Sequence, residues 1–324
     1  MGLFAYALAG GSFALIGAWE SLVSSIGTHK IQPSPTSGTA QPRAKTTSSS
    51  SSVTSIAVSL LSVFFVMNSM ISLSDALNTK DQTGVILQLE VISIALLFFL
   101  YGFLGLLTHF SKLILLPSPV LNLLCLFGFV EEFLLFYLQR KDPDGIENRY
   151  FDLFCVPIGI CIVCTILELK SPKARFSRLG RGIGLIFQGM WIIQMGFSFY
   201  SSAISNGCFL SEKSRGNFTV KCKGHMEYHR SRAISTLQFN CHLALLVVLV
   251  TSVFYLICKI VGISGEFTEY RPLGAEMQSF DGHNSRFTLD SDEDEDRSRE
   301  EGNGEDHKVI TVVPESGVNG YNSH

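Results

Sequence analysis

Residues 85–107 read VILQLEVISIALLFFLYGFLGLL, an apolar run with one carboxyl, Glu90. At about 1.5 Å per residue, a helix of this length crosses a hydrocarbon core of roughly 30 Å. Water is absent at that depth, so every backbone N–H and C=O has to pair within the segment, and the run is a helix rather than a strand. Six further runs of similar length and composition flank it: Leu3 to Ser25, Val53 to Leu73, Leu113 to Leu138, Phe151 to Leu169, Ile183 to Ile204 and Leu237 to Val261. The sequence therefore predicts an all-α, polytopic transmembrane helix bundle of about seven spans.

Composition agrees. A soluble chain carries about a quarter of its residues as Asp, Glu, Lys or Arg; here the share is 16%. Much of that charge gathers at Lys170–Arg181, at Glu212–Arg232 and beyond Glu266. The net charge of −3 averages a neutral body with an acidic tail, so it implies no nucleic-acid partner; the lipid bilayer is the partner implied. The expected organisation is a bundle over 1–262, a flexible Ser/Pro-rich linker at 28–52, a loop at 205–236, and a disordered acidic tail at 263–324. Met1 to Trp19 has no Lys or Arg, so the first run reads as a retained span rather than a signal peptide. Myristoylation at Gly2 is excluded because Tyr6 stands where Ser or Thr is needed.

An odd number of spans places the chain's ends on opposite faces. Lys30, Arg43, Lys45, Lys112 and the loop Lys170–Arg181 share one face with the tail, but the loop at 205–236 is itself basic, so charge alone does not orient the chain. Two features of that loop do. Asn217-Phe218-Thr219 is an N-glycosylation sequon, a glycoprotein signal usable on the luminal side. Cys208 and Cys222, of eight cysteines the two clearly outside the runs, can close a short disulfide loop worth about 3 kcal/mol in an oxidising compartment. The expected setting is the secretory pathway or plasma membrane, with the N-terminus luminal or extracellular and the C-terminus cytosolic.

The cytosolic segments carry short signals. The linker ends in Ser48–Ser52, a spacer that kinases can reach. In the tail, Tyr270-Arg271-Pro272-Leu273 has the form of a tyrosine-based sorting signal, and Ser291 precedes the acidic run Asp292–Asp296 as acidophilic kinases prefer. A cytosolic adaptor or kinase is the partner such a tail implies.

Ionisable groups within spans cost on the order of 2.5–3.5 kcal/mol on insertion scales and are the default functional candidates. They are Glu90, Glu131, Glu132 and His242, with Gln88, Gln188 and Gln194 as neutral partners. Glu20 and Glu168 sit near span ends and read as solvated. Glu90 is either a proton or cation carrier or a carboxyl hydrogen-bonded to Gln188, Gln194 or His242 as interhelical glue, and glue is the simpler reading. Cys161-Ile162-Val163-Cys164 has redox-like spacing but lies mid-span, where cysteine packs as a small apolar residue. His225 and His229 bracket Glu227 without a third metal-ligand group, so no metal is expected. Gly180 and Gly184 match small-xxx-small packing, with Gly180 read as lying in the loop. Phosphate loops, nucleophile elbows and dinucleotide fingerprints are missing from the sequence, and no cofactor or enzyme activity is expected.

The segment Phe187-Gln188-Gly189-Met190-Trp191-Ile192-Ile193-Gln194-Met195-Gly196-Phe197 resembles the span-six signature of the transmembrane protein 45 family, which has many plant members of uncharacterised function. Other segments fall in the family's order across 1–262: Gly10, Gly17 and Trp19; Leu89-Glu90; Glu132 to Tyr137; Gly145-Ile146-Glu147 with Tyr150; and Cys241-His242. The family's histidines are mostly replaced here, by Glu20, Val91, Tyr137, Gln139 and Phe151, with His242 remaining. The resemblance implies a divergent plant-type member that has lost any histidine-based site.

The leading expectation is a non-enzymatic scaffold, trafficking or signalling-associated component acting through its helices and tail. The alternative is a small-solute or ion transporter or channel using Glu90, Glu132, Gln188, Gln194 and His242, with an intramembrane enzyme third.

Overall fold

The computed structural model describes residues 2–28, 45–110, 117–139, 142–171, 175–201 and 207–261. Seven helices appear: α1 (Leu3–Thr28), α2 (Lys45–Asn78), α3 (Gln82–Phe110), α4 (Ser118–Leu138), α5 (Glu147–Lys170), α6 (Arg175–Tyr200) and α7 (His225–Val261). Each contains a stretch long and apolar enough to cross a bilayer. The chain is a multi-pass membrane helix bundle.

The boundaries differ most from the sequence expectation in three places. The Ser48–Ser52 run is helical, because α2 already begins at Lys45; serine costs a helix little once a long apolar segment has nucleated it. The loop expected at 205–236 holds an antiparallel hairpin, β1 (Cys208–Ser214) and β2 (Asn217–Cys222), and then the first turns of α7. Gly180 belongs to α6, not to a loop. Tyr270, Leu273 and Ser291 lie outside the described residues.

Helices α1 to α6 form a circuit in which each packs on the next and α6 returns to α1, while α7 lies outside it against α5 and α6. Although consecutive, α1 and α2 are the loosest neighbours of the circuit. Each is instead held by a close partner through small residues, since helices in lipid associate by close backbone approach. Gly10 and Gly17 of α1 face Gly189 and Gly182 of α6, so that a Cβ on Gly10 would stand 2.5 Å from the Gly189 carbonyl oxygen. In α2 the buried Ser55, Ser62, Ser69 and Ala76 recur every seven residues, and Gly102 of α3 lies against Ser55 and Ser59. Gly180 and Gly184 serve α5 in the same way, facing the thiols of Cys164 and Cys161. That explains the Cys-x-x-Cys spacing without redox chemistry.

The outward faces are apolar and exposed: Leu60 and Met67 of α2, Leu96 and Phe103 of α3, and Leu245, Val248 and Leu256 of α7. They form the surface that meets lipid. The inward core is aromatic, with Trp191 stacked on Tyr150 at 5.4 Å and set edge-on to Phe239 at 5.0 Å.

Candidate functional site

Inside the circuit lies a cavity of ≈ 220 Å³, lined from all six helices and from Gly216 and Phe218 of the hairpin. For scale, an apolar cavity of about 150 Å³ accepts benzene. On α1 its lining runs from Tyr6 to Glu20, four helical turns or about 21 Å. The wall is mainly aromatic and aliphatic, including Phe13, Phe65, Phe98, Phe129, Leu185 and Ile192. Polar groups sit towards its two ends.

At one end the hairpin lies across the bundle. A disulfide joins Cys208 to Cys222, which are register partners at its base. Its turn carries Gly216 at φ +86, a left-handed conformation that suits glycine. The tip docks on the α2–α3 turn. Ser214 Oγ donates to Asp81 Oδ2 at 2.7 Å, Asn217 Nδ2 donates to the same oxygen, and the Arg215 N–H donates to Asp75 Oδ2 at 2.7 Å. Lys213 Nζ stands 3.4 Å from Asp81 Oδ1. Burial raises the Asp81 pKa, but the hydrogen bonds from Asn217, Ser214 and the Gly84 N–H, together with Lys213, outweigh it and hold the carboxyl down at about 2. The other flank of the hairpin is tied to the start of α5: the Val220 N–H donates to Glu147 Oε2 at 2.7 Å and the Ile146 N–H donates to the Val220 carbonyl at 3.1 Å. Phe218 and Val220 then enter the core, with Phe218 5.3 Å from Phe199.

This geometry gives the sequon asparagine an internal role. Asn217 is buried, and the Nδ2 that would bear a glycan is an internal donor to Asp81. A sugar there has no room while the hairpin is docked.

At the opposite end Arg181, almost fully buried, binds two carboxylates. Its Nε donates to Glu20 Oε2 at 3.1 Å and its Nη1 to Glu168 Oε2, while Arg178 Nη2 reaches Glu168 Oε1 at 3.3 Å. Glu20 and Glu168 are therefore buried ion-pair partners and not solvated groups, which corrects the sequence expectation. Two cations offset two anions, which is what makes burial of charge tolerable.

The candidate residues within the spans do not converge. Glu132 lies on the cavity wall, 6% exposed, with its Oε2 lacking a hydrogen-bond partner among the described residues. Gln88, also buried, shares that wall. Glu90 is half-buried and is not part of the lining. Gln188 is fully buried in the core, where its Nε2 faces Cys161 Sγ at 3.5 Å. Gln194 belongs to a relay linking α6, α5 and α7. Its Nε2 donates to Ser198 Oγ at 3.1 Å, Ser198 and the Tyr150 hydroxyl share a bond of 3.0 Å, and Tyr150 donates to Gln238 Oε1 at 2.9 Å. His242 Nδ1 donates to the Gln238 carbonyl of its own helix at 2.8 Å, and its ring meets Trp191 edge-on at 6.0 Å. Glu90, Gln194 and His242 are thus not brought together at the cavity: Gln194 is bonded to Ser198 and His242 to its own helix, and none of the three lines it. Trp191 Nε1 donates to the Tyr150 carbonyl at 3.0 Å, so the span-six signature is a packing and hydrogen-bonding element. His225 and His229 bring their Nε2 atoms to 3.1 Å, but no group of three or more His, Cys, Asp or Glu positioned for a metal occurs among the described residues.

Sequence reasoning missed Arg181, Asp81 and Tyr150. Arg181 was read as a loop charge, and its partner Glu20 lies 161 positions away. Asp81 stands immediately before the apolar helix α3 and gave a local signal as an N-cap, because its side chain accepts from the Gly84 N–H three residues on. The curated proteins contain no match to the chain. Residues 118–256, which hold α4 to α7, the hairpin, Glu132 and the span-six signature, match the sequence model of a family of unknown function (DUF716), the family of transmembrane protein 45-like proteins.

Proposed function

We propose that this protein is a non-enzymatic, membrane-embedded binding protein or carrier that holds a small, slender apolar molecule inside its bundle. The observation that carries the proposal is the cavity itself, a space of ≈ 220 Å³ with an apolar wall and polar groups at both ends. Binding sites for small molecules are typically mostly apolar, with few placed polar groups, and occur between the helices of bundles. An apolar guest would have access from the bilayer, and the loose α1–α2 joint is the natural side entrance. In this proposal the transport alternative is kept, but Glu132 and Gln88 replace Glu90, Gln194 and His242 as its polar groups.

The same proposal places the hairpin on the luminal or extracellular side, with the N-terminus, because a disulfide persists in an oxidising compartment. It treats the chain as a divergent plant-type relative of the transmembrane protein 45 family, supported by the order of the matching segments. A scaffold or trafficking role through the tail concerns address and regulation, and is compatible with a ligand-bearing bundle.

The test is photolabelling of full-length protein in phosphatidylcholine vesicles with an octane carrying a mid-chain diazirine. Adducts are expected on cavity residues such as Phe98 and Leu185 as well as on lipid-facing α7. Ala95→Phe, which fills the cavity, should remove the interior adducts and spare those on α7. Labelling confined to outward-facing residues would contradict the proposal.

A further inference from the structure

One carboxyl inside the bundle is left without a partner among the described residues. At the far end of the cavity Arg181 and Arg178 balance Glu20 and Glu168. Glu132 stands apart from that cluster. It is 6% exposed, it lines the cavity, and its Oε2 has no hydrogen-bond partner among the described residues. No ion pair to it occurs among the described residues. Cys125 and Cys161, the titratable side chains whose charge couples to Glu132, are thiols and supply no positive charge.

A buried carboxyl without a partner is costly, and the cost is relieved by a proton or by a cation that brings its own donors. Position adds a direction. Glu132 lies six residues before the end of α4 at Leu138, about 9 Å below the hairpin face. Gln88, Gln139 and the hairpin's Gly216 line the same end. From there the cavity continues between Phe98, Phe129, Ile16 and Leu185 towards Glu20, without another carboxyl along the way. This is a polar recess over a long apolar slot.

Resting on the cavity-binding reading above, we propose that the guest is a single-chain amphipath with a primary ammonium head, the head donating to Glu132 below the hairpin and the chain filling the slot towards Arg181. A hydrocarbon would leave Glu132 unmatched. A two-chain lipid is too bulky for ≈ 220 Å³. Specificity of this kind comes from the group that would otherwise stay unpaired.

The experiment uses three probes with the same mid-chain diazirine octyl body and different ends: a primary amine, an alcohol and a methyl. Full-length protein is labelled in phosphatidylcholine vesicles, and interior adducts on α3, α4 and α6 are divided by adducts on the lipid-facing Leu245 and Val248, which corrects for partitioning. The expected amine ratio exceeds the methyl ratio by at least about tenfold, as a charge-assisted hydrogen bond to a buried partner warrants, with the alcohol between them. Glu132→Gln should bring the amine down to the alcohol and leave the methyl probe unchanged. Equal interior ratios for amine and methyl in the wild-type protein would overturn the proposal while leaving the cavity reading intact, and that comparison needs no variant. An amine preference that survives Glu132→Gln would also overturn it. Interior labelling by none of the probes would remove the cavity reading, and this inference with it.

Discussion

Asp81 holds the hairpin through charge as well as hydrogen bonds, so its contribution follows pH in a defined sense. Its folded pKa of about 2 lies below the ordinary 3.8, and a depressed acid stabilises the fold above its unfolded pKa and loses that stabilisation as pH falls through the folded one. The melting-temperature difference between wild type and Asp81→Asn should therefore stay constant from pH 7 to pH 5 and shrink below about pH 4. A difference that already collapses between pH 7 and pH 5 would contradict the assignment. Its donor Asn217 gives a second test. Replacing Asn217 by Ala should cost about 1.5–3 kcal/mol, as for a hydrogen bond to a charged group. Glycosidase treatment of wild-type protein should produce no mass shift at this residue. The sequence displayed the sequon and the acidic residue equally well; it could not show that they meet, because Asp81 and Asn217 are 136 positions apart. Glu20 and Arg181 were illegible for the same reason: a carboxyl near a span end and an arginine after a basic loop each look solvated until α1 and α6 are brought together.

Among the elements, the pairing of α1 with α6 carries the sharpest expectation. Gly10 sits against the Gly189 carbonyl, whereas Gly11, its neighbour, has nothing within 4 Å of where a Cβ would be. Gly10→Ala should thus destabilise the bundle by about 1–3 kcal/mol through overpacking. Gly11→Ala should be neutral or slightly stabilising, since alanine is the better helix former. Thermal unfolding in detergent reads both; equal effects would mean that α1 and α6 do not meet through these glycines. The helices themselves were legible because hydrocarbon leaves the backbone no alternative. Their partners were not, since a glycine marks a close approach without saying to what. The α2 boundary was misread because serine suits a linker and a helix surface equally, and the seven-residue recurrence of Ser55, Ser62 and Ser69 shows its meaning only once α3 lies against it.

On the scale of the whole molecule, two tight helix pairs are joined by α4 and α5 around a space with a stapled hairpin at one end and a balanced ion cluster at the other. The α1–α2 joint is the part of this circuit with the least holding it. Phe13 and Phe65 face each other there with ring centroids 6.3 Å apart. A disulfide between cysteines placed at 13 and 65 should slow exchange of a labelled alkyl chain, and reduction should restore it; unchanged exchange would place the entrance elsewhere. On the proposal above, the space is a binding site and not a packing fault. That is tested most directly by a cryo-EM map of full-length protein purified from its native membrane in mild detergent. The account predicts an elongated density, separate from the surrounding belt, extending from Glu132 past Phe98 towards Arg181. A map with these helices closed together and no density in the cavity would contradict it.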